Sequence, residues 1–528
     1  SLTAILIFIT CLGCNVNDLD FSNLEKPVLG QTVALPIGTI SYTMRELIDK
    51  IGDSELDLQE DSTSLILLSY YDTASFTSGE DIIAVDDVVD NKSLYLEAVA
   101  GDNPESQVVQ VNDNFVFSYP AENNERLDSV FYEGGQLELT VSSYLSQDIS
   151  YEISIDNTRR VSDNSPVSFT GNLSANSNAA SSVDLLGHKT LLSFDESDGN
   201  TFSLSADISV FLEPNQSIAQ NDSISIQIAY RNQDFSILYG NFGQDRIEVG
   251  NETLDVKFFS DLGESGLRFG SPEINFNFSS SFGLPLGITF DGMYGVDSTD
   301  SGSDTIFLGG TAAEVPQVVA GASTPGEFVE SLVTLNTENS TIRSLLGASP
   351  NTIGFNLTAI SNPEDAGAIN YVMDTSRIST TIEMKLPLEL SLDNLSREID
   401  FDLGDGLDFD QADSVSLRLV TDNEFPFSAQ LALQILGEND SVIHDVPSTV
   451  ILEIPFLDLQ GVVSQSRRQV SDVPLNKQGI EALATGEKLR LILTLNTPSG
   501  NREVFVKVLA DYKIDIKIGA VGTLNIDL

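Results

Sequence analysis

The chain has 528 residues, of which 41% are hydrophobic and 20% charged, a composition typical of folded proteins. Lys and Arg number 26 against 79 Asp and Glu, which gives a formal net charge of −53. Because nucleic-acid binding depends on basic side chains that release counterions from phosphates, this balance excludes it. The acids are scattered along the chain, which indicates a solvated surface kept soluble by its own charge, with diffuse binding of divalent cations as the alternative.

The first predicted element is an apolar run, "LTAILIFITCLG" (2–13), followed by a polar stretch. About a dozen residues is too short to span a bilayer, which takes roughly 20, but it matches the hydrophobic region of a secretory signal. We therefore predict a signal peptide over residues 1–13, of which the sequence begins inside the apolar region.

Both cysteines of the chain lie at the end of that run, Cys11 within it and Cys14 directly after it. "CLGC" (11–14) resembles a bacterial lipobox, and the resemblance implies cleavage before Cys14 and lipidation of that residue. Cys11 stands where Leu is commonest in the motif, and an ordinary signal peptide is the alternative. Asn15 after the cysteine favours the outer membrane within the resembled class. We expect a lipidated tether over 14–24 whose acyl chains hold the protein in the outer membrane, on either its cell-surface or its periplasmic side.

Downstream, runs in which apolar and polar residues alternate predict β-strands, separated by turns rich in Asn, Asp, Gly, Ser and Pro. Each run has one apolar face, which predicts antiparallel sheets with one side buried. In chain order the clearest runs are "QLELTVSS" (136–143), "EISI" (152–155), "SISIQIAY" (223–230), "EINFNFSS" (273–280), "VSLRLV" (415–420), "LRLILTL" (489–495) and 512–528. The predicted fold class is mainly β, with tandem antiparallel β-sandwich domains and a few short helices.

Three segments predict those helices. The strongest is "TMRELIDKIG" (43–52), in which Thr43 and Glu46 form a capping box and Gly52 ends the helix. "PGEFVESLVTL" (325–335) and "NKQGIEALATG" (476–486) are shorter candidates. All three are minor elements beside the strands.

A weak internal repeat organises the strands. Segments 137–155, 274–292 and 415–435 each contain an alternating strand, a short polar patch with an aromatic residue, and a second alternating strand. Pro285 and Pro426 lie at two of the junctions, where proline, which lacks an N–H, fits only a break or a bulge. We interpret the repeat as a strand that crosses between the two sheets of a sandwich, once per domain. Unrelated strands of similar composition are the alternative.

The length is enough for roughly two to four domains. Composition and the repeat predict four units beyond the tether: a β-rich segment with one helix (25–110), a β-sandwich (111–300), a β-rich segment with short helices (301–395) and a C-terminal β-sandwich (396–528).

The inventory of reactive side chains gives little support for catalysis. His188 and His444 are the two histidines and lie far apart in the sequence, which excludes a zinc site built from several His or Cys residues. Neither a G-x-S-x-G motif nor a G-x-x-x-x-G-K-[ST] loop occurs in the sequence. We predict no catalytic residues, no bound cofactor and no enzymatic activity.

Calcium is the one metal that the sequence supports, because it binds oxygen ligands alone. The run "DFDLGDGLDFDQAD" (400–413) contains the candidate ligands Asp400, Asp402, Asp405, Asp408 and Asp410. The run lacks the EF-hand register, and several of its acids alternate with Phe and Leu, as on the solvent face of an edge strand. The edge-strand interpretation is favoured, and a calcium site that stiffens a loop is the alternative.

Several stretches between about Glu25 and Leu528 resemble segments of a family of uncharacterised outer-membrane lipoproteins of Bacteroidota. Among them are "KPVLGQTVALPIGTISYTMRELIDKIGDSELDLQ", "PEINFNFSSSFGLPLGITFDGM", "LVTDNEFPFSAQLALQIL" and "DYKIDIKIGAVGTLNI". The resemblance implies an envelope location and a β-rich fold, and it transfers no functional residue.

We therefore expect a non-catalytic outer-membrane lipoprotein that acts as a protein-binding, scaffolding or adhesive module. Its partner would be an outer-membrane or surface protein, for instance in a complex where this chain is an accessory subunit. A glycan-binding or apolar-ligand-binding protein is the alternative. An acid-only glycoside hydrolase ranks behind both, since no pair of carboxylates can be singled out among 79 acids.

Overall fold

Strands dominate the computed structural model, which describes residues 31–51, 57–78, 85–121, 125–256, 267–297, 304–402, 412–498 and 504–524. Strands make up 62% of the residues and helices 6%, which confirms the prediction of a mainly-β, sandwich-type protein. The strands of these residues, numbered in chain order, form antiparallel sheets that pack into three sandwiches. We name them the terminal, central and inserted sandwiches.

The terminal sandwich consists of two four-stranded sheets. The first has the order β1 (Gln31–Thr43), β35 (Lys513–Leu524), β27 (Ala412–Asn423) and β32 (Arg467–Leu475). The second has the order β26 (Leu395–Asp402), β33 (Lys488–Asn496), β28 (Ser428–Leu436) and β29 (Val442–Leu452). Leu419 and Val473 of the first sheet meet Leu433 and Val446 of the second in a small separate core.

The central sandwich consists of a five-stranded and a six-stranded sheet. The five-stranded sheet has the order β2 (Asp57–Glu60), β3 (Ile66–Ser78), β24 (Arg377–Pro387), β16 (Glu273–Ser280) and β21 (Val329–Leu335). The six-stranded sheet has the order β19 (Asp304–Phe307), β18 (Tyr294–Asp297), β22 (Thr352–Ser361), β17 (Leu286–Thr289) and β20 (Gln317–Val319), with β14 (Arg246–Asp255) also paired to β22. The Phe276 ring joins the two sheets, with its centroid 4.8 Å from that of Phe290 and 5.6 Å from that of Phe355.

The inserted sandwich is an 11-stranded sheet that folds into two facing halves. The first half-sheet has the order β4 (Val88–Tyr95), β13 (Ser223–Asn241), β6 (Arg126–Ser143) and β9 (Asn178–Asp184). The second has the order β5 (Gln107–Ser118), β12 (Gly199–Leu212), β7 (Asp148–Arg160) and β8 (Pro166–Leu173). β10 (His188–Leu191) pairs with both β6 and β7 and so joins the halves. β11 (Ser193–Asp195) pairs with β12, and β23 (Asn370–Met373) pairs with β13.

Short elements complete the described part of the chain. β15 (Arg268–Phe269), β25 (Glu389–Ser391) and β34 (Val506–Lys507) form a three-stranded sheet, and β30 (Phe456–Leu457) pairs with β31 (Val463–Gln465). The helices are α1 (Met44–Ile51), α2 (Thr311–Glu314), α3 (Ile342–Gly347), α4 (Lys477–Thr485) and a 3₁₀ turn (Glu438–Asp440).

Two of the three predicted helices are confirmed, and both begin at a side-chain cap. At α1 the Glu46 N–H donates to Thr43 Oγ1 (3.3 Å) and the Thr43 N–H donates to Glu46 Oε2 (2.8 Å), which is the predicted capping box. At α4 the Gly479 N–H donates to Asn476 Oδ1 (2.9 Å). The caps satisfy N–H groups that the first helical turn leaves without backbone partners.

The helix predicted over 325–335 is wrong, because Val329–Leu335 forms strand β21. Pairing with β16 buries Val333 and Leu335 against the core and leaves Leu332 63% exposed. The apolar spacing also fits a helical face, but tertiary pairing along a sheet overrides local preference here.

The sandwiches are nested along the chain. β1 pairs with β35 in the terminal sandwich, β3 pairs with β24 in the central one, and β4 to β13 lie between them in sequence. β5 therefore runs through the boundary predicted at 110/111, and β14, β17 and β18 pair with β22 across the boundary predicted at 300/301. Alternation identifies the faces of a strand but not its partner, so a division at single points in the chain does not follow the sheets.

The predicted crossing element is present in all three sandwiches. β6 and β7 connect the halves of the inserted sandwich, β16 and β17 the sheets of the central one, and β27 and β28 the sheets of the terminal one. At each corner a buried polar side chain accepts a hydrogen bond from the N–H of the buried apolar residue two positions later. The pairs are Ser143 with Leu145 (3.3 Å), Ser280 with Phe282 (3.3 Å) and Asn423 with Phe425 (2.9 Å). This contact satisfies a buried N–H at the point where the strand ladder stops.

Candidate functional site

The predicted lipidation site Cys14 lies outside the described residues, together with the predicted signal peptide and tether. Asp405, Asp408 and Asp410 of the predicted calcium site also lie outside them. Asp400 is on β26, as is Asp402, and among the described residues β26 is an edge strand of its sheet, as the edge-strand interpretation predicts. Within those same residues, no helix is both long and apolar enough to cross a membrane.

Asp400 is paired with an arginine of the neighbouring strand. Arg490 donates from Nε to Asp400 Oδ1 (2.7 Å) and from Nη2 to Oδ2 (2.9 Å), and these hydrogen bonds lower the pKa of Asp400 below its ordinary 3.8. A calcium ion bound by Asp400 would compete with this guanidinium for the same carboxylate oxygens. In the part of the chain that the structure describes, no group of three or more His, Cys, Asp or Glu residues is arranged to hold a metal ion. The calcium site stays a prediction.

The two histidines lie in different sandwiches. His188 is buried on β10 of the inserted sandwich, where its Nδ1 lies 3.2 Å from the carbonyl oxygen of Leu186. His444 is on β29 of the terminal sandwich, opposite Ile435. The fold therefore does not bring them to one site.

The outer face of the first half-sheet carries two exposed tyrosines at one end. Tyr95 at the end of β4 is opposite Ser223 of β13, and the Tyr144 N–H donates to the Ser223 carbonyl (3.1 Å) from the other side. Tyr95 is 66% exposed and Tyr144 62%, whereas Leu94 and Ser143 beside them are buried. We name Tyr95, Ser223 and Tyr144 the tyrosine row. Because adjacent strands are ~4.8 Å apart, the backbones of the two tyrosines are ~10 Å apart on one face.

Small polar side chains fill the sheet face behind the tyrosine row. The next row contains Ser93, Ser225, Ser142 and Asn178, and the row after it contains Asn91, Gln227, Thr140 and Ala180. Ser225 Oγ donates to Asn91 Oδ1 (2.9 Å) between the two rows. Short hydroxyl and amide side chains supply adaptable hydrogen bonds without standing above the rings. The tyrosines are thus the largest side chains of these rows.

The surroundings of the tyrosine row are acidic. Glu97 is exposed and lies two residues from Tyr95 in sequence. The sequence contains no Lys or Arg over 93–125, 127–158 or 190–230, which between them supply most of the inserted sandwich. The electrostatic potential at this end of the sandwich is therefore negative.

A cluster of buried hydroxyl groups inside the same sandwich gave no signal in the sequence. Thr158 Oγ1 lies 2.6 Å from Tyr230 Oη and 3.0 Å from Thr190 Oγ1, and Tyr132 Oη donates to Thr190 Oγ1 (2.9 Å). Tyr119 joins the cluster through Tyr132 Oη, 3.4 Å away. Burial raises the pKa of Tyr230 to about 12, and it raises the pKa values of Tyr119 and Tyr132 well above their ordinary 10.0. Alternation shows which residues face a core but not which of them touch, so only the structure reveals this cluster. Its enclosure makes it a structural element.

Comparisons with known proteins give no close match. No protein-family model matches the chain, and no curated protein matches it. A Parabacteroides distasonis protein assigned as secreted is 13% identical, covering 55% of this chain and 90% of that one, at a TM-score of 0.32. The Tobacco streak virus coat protein is 16% identical, covering 27% of this chain and 87% of that one, at a TM-score of 0.13. A structure of infectious bursal disease virus, Gx strain, is 12% identical, covering 89% of this chain and 81% of that one, at a TM-score of 0.15. All three TM-scores are far below the value at which two chains share a fold.

Proposed function

We propose that this chain is a lipid-anchored, non-catalytic protein of the outer membrane that binds another protein through the tyrosine row. The observation that carries the proposal is the alignment of Tyr95 and Tyr144, 66% and 62% exposed, on one face of a rigid sheet. Tyrosine is among the residues that dominate binding energy at protein interfaces, because it offers a large apolar ring with a polar tip.

The partner surface that best complements this row is basic. Guanidinium and ammonium groups stack favourably on tyrosine rings, and they also pair with carboxylates such as that of Glu97. A chain with a net charge of −53 repels acidic partners and attracts basic ones over long range. The partner we infer therefore presents Arg or Lys side chains to the two rings.

The membrane attachment in this proposal derives from the sequence. The apolar run 2–13 and the lipobox-like residues before Cys14 support an acyl anchor. The absence of catalysis is likewise a proposal. It is supported by the positions of the two histidines, because His188 and His444 lie in different sandwiches and do not form a shared site.

The binding site is tested by substituting both tyrosines in the full-length protein, as Tyr95→Ser with Tyr144→Ser. Tyr71→Ser is the matched control, because Tyr71 is 48% exposed on a different sheet, in the central sandwich. After reversible cross-linking in native membranes, we expect a stoichiometric protein partner to be recovered with the native chain and with Tyr71→Ser. We expect it to be lost with the double variant, and to be recovered in smaller amount when salt is added before the cross-linking step.

Recovery of the same proteins with all three chains would contradict the tyrosine row as the binding surface. The anchor is tested separately by Cys14→Ala, which should move the protein from the membrane fraction to the soluble fraction. Unchanged partitioning into detergent would argue against lipidation at that residue.

A further inference from the structure

The outer face of the second half-sheet, on the far side of the inserted sandwich, contains a shallow hollow of about 470 Å³. Two rows of side chains form its floor, each crossing the four strands β5, β12, β7 and β8. One row contains Gln110, Ser209, Ser150 and Asn172, and the next contains Asn112, Asp207, Glu152 and Thr170. Since four strands span about 14 Å and rows on one face are ~7 Å apart, the floor has the size of a short oligosaccharide.

Along the first of these rows, the depth of the hollow follows from side-chain length. Ser150 and Ser209 occupy the two central strands of their row, while the longer Gln110 and Asn172 occupy the outer strands. In this row, side chains at the rim therefore stand higher than those at the centre. A ligand lying along this row contacts the short serines below and the two amides at its sides.

Four of the eight floor side chains are not engaged by the part of the protein that the structure describes. Ser209 Oγ donates to Gln110 Oε1 (3.1 Å), and the Asn112 amide nitrogen lies 3.0 Å from Asp207 Oδ1 in the orientation that satisfies both groups. Ser150, Glu152, Thr170 and Asn172 make no side-chain hydrogen bond to any other residue that the structure describes. Their hydroxyl, carboxylate and amide groups are available to a ligand.

An aromatic ring borders the hollow. Phe211 lies one row beyond Ser209 on the same face of β12, opposite Val108, and it is 43% exposed. An apolar ring beside a cluster of amides, hydroxyls and carboxylates suits a sugar, whose ring faces are apolar and whose edge carries hydroxyl groups. Glu152 and Asp207 face each other across β7 and β12, so their charges repel an anionic ligand and accept hydrogen bonds from neutral hydroxyls.

We propose that this hollow binds a neutral polysaccharide chain, with one sugar ring against Phe211 and sugar hydroxyls donating to Glu152 and Asp207. This goes beyond the proposed protein-binding function and uses the opposite half of the sandwich. The hollow binds without cleaving, because adjacent strands present the two carboxylates from the same side of the ligand, whereas glycoside hydrolysis needs them to flank the scissile bond.

The proposal is tested by affinity electrophoresis of the full-length protein in gels containing galactomannan, xyloglucan, mixed-linkage β-glucan or amylopectin, with alginate as the anionic comparison. We expect at least one neutral polysaccharide, and not alginate, to retard the native protein. Phe211→Ala should weaken that binding roughly tenfold, as expected for loss of one aromatic contact. Ser150→Trp should abolish binding by filling the hollow.

Ser225→Trp is the matched control, because Ser225 lies between Ser93 and Ser142 on a central strand of the opposite half-sheet. It should bind like the native protein. Glu152→Gln keeps the size of the side chain and removes its charge, so it tests the site even if a tryptophan variant fails to fold. We expect it to bind the polysaccharide more weakly than the native protein. The proposal is overturned if no neutral polysaccharide retards the native protein, if Phe211→Ala and Glu152→Gln bind as it does, or if the polysaccharide is cleaved.

Discussion

The inserted and terminal sandwiches contain the same crossing element but differ in how closely they pack. In the inserted sandwich, core-facing residues such as Leu137 and Val141 of β6 and Ile226 of β13 are 0% exposed. In the terminal sandwich, Leu489 and Leu491 of β33 remain half-buried along with the rest of that strand. One alternating pattern has thus produced fully buried strands in the inserted sandwich and a half-buried strand in the terminal one, although Val446 and Val473 there are each 1% exposed.

What fills the space between the sheets explains the difference. The inserted sandwich places aromatic rings between its halves: the Phe202 centroid lies 5.4 Å from that of Tyr230, which lies 5.5 Å from that of Tyr119. The separate core of the terminal sandwich consists, within the described residues, of aliphatic side chains on two four-stranded sheets. Alternation decides which way a residue points, whereas side-chain volume decides whether the layers close.

The largest effect that tests this comparison comes from matched leucine truncations. Leu137→Ala removes a fully buried side chain from the inserted sandwich and should lower its free energy of unfolding by ~2–5 kcal/mol. Leu491→Ala removes a half-buried side chain from the terminal sandwich and should cost about 1 kcal/mol. Hydrogen exchange in increasing urea, resolved by peptide, measures the two regions separately. Equal losses of unfolding free energy in the two variants would contradict the difference in packing between the two sandwiches.

Alkaline pH should weaken the inserted sandwich more than the terminal one. The pKa of Tyr230 is raised from 10.0 to about 12 by burial, so folding keeps it neutral while the unfolded chain ionises. Its contribution to stability is complete below pH 10 and is lost between pH 10 and about pH 12. Tyr119 and Tyr132 shift in the same direction and steepen the loss. Because the chain has no Trp, tyrosinate absorbance measured together with hydrogen exchange reports this transition. Hydrogen exchange that increases at a lower pH in the terminal sandwich than in the inserted one would contradict the prediction.

The smallest expected effect concerns the edge of the terminal sandwich. Asp400→Asn breaks the exposed pair with Arg490 and should lower the thermal midpoint only slightly, with the difference vanishing at high salt. Because the pKa of Asp400 is lowered, the stability from this pair is present above the ordinary value of 3.8 and is lost as pH falls further. Asp402→Asn on the same strand is the control. A large decrease in the thermal midpoint that does not change with salt would show that the stability of the terminal sandwich depends on its edge strand β26.

The sequence allowed the prediction of the strands, two helices and the crossing corners, because each depends on residues close together in the chain. Thr43 with Glu46 and Ser280 with Phe282 are local contacts that a pattern identifies or suggests. The strand over Val329–Leu335 escaped prediction because its partner β16 decides its form. The tyrosine row and the hollow depend on register between distant strands, as with Tyr95 opposite Ser223, and no local pattern specifies that register.

The pairing of β1 with β35 has a consequence for biosynthesis. β1 is made first among the described strands, and its partner is made last, so β1 must wait while almost the whole chain is produced. A long unpaired strand is a template for aggregation during such a delay. Pro36 interrupts β1 at the position where the register with β35 shifts. Because proline has no N–H, it removes a hydrogen-bond donor from the edge of β1 and so disfavours pairing with strands of other chains. We expect Pro36 to reduce aggregation of the nascent chain more than it stabilises the folded protein.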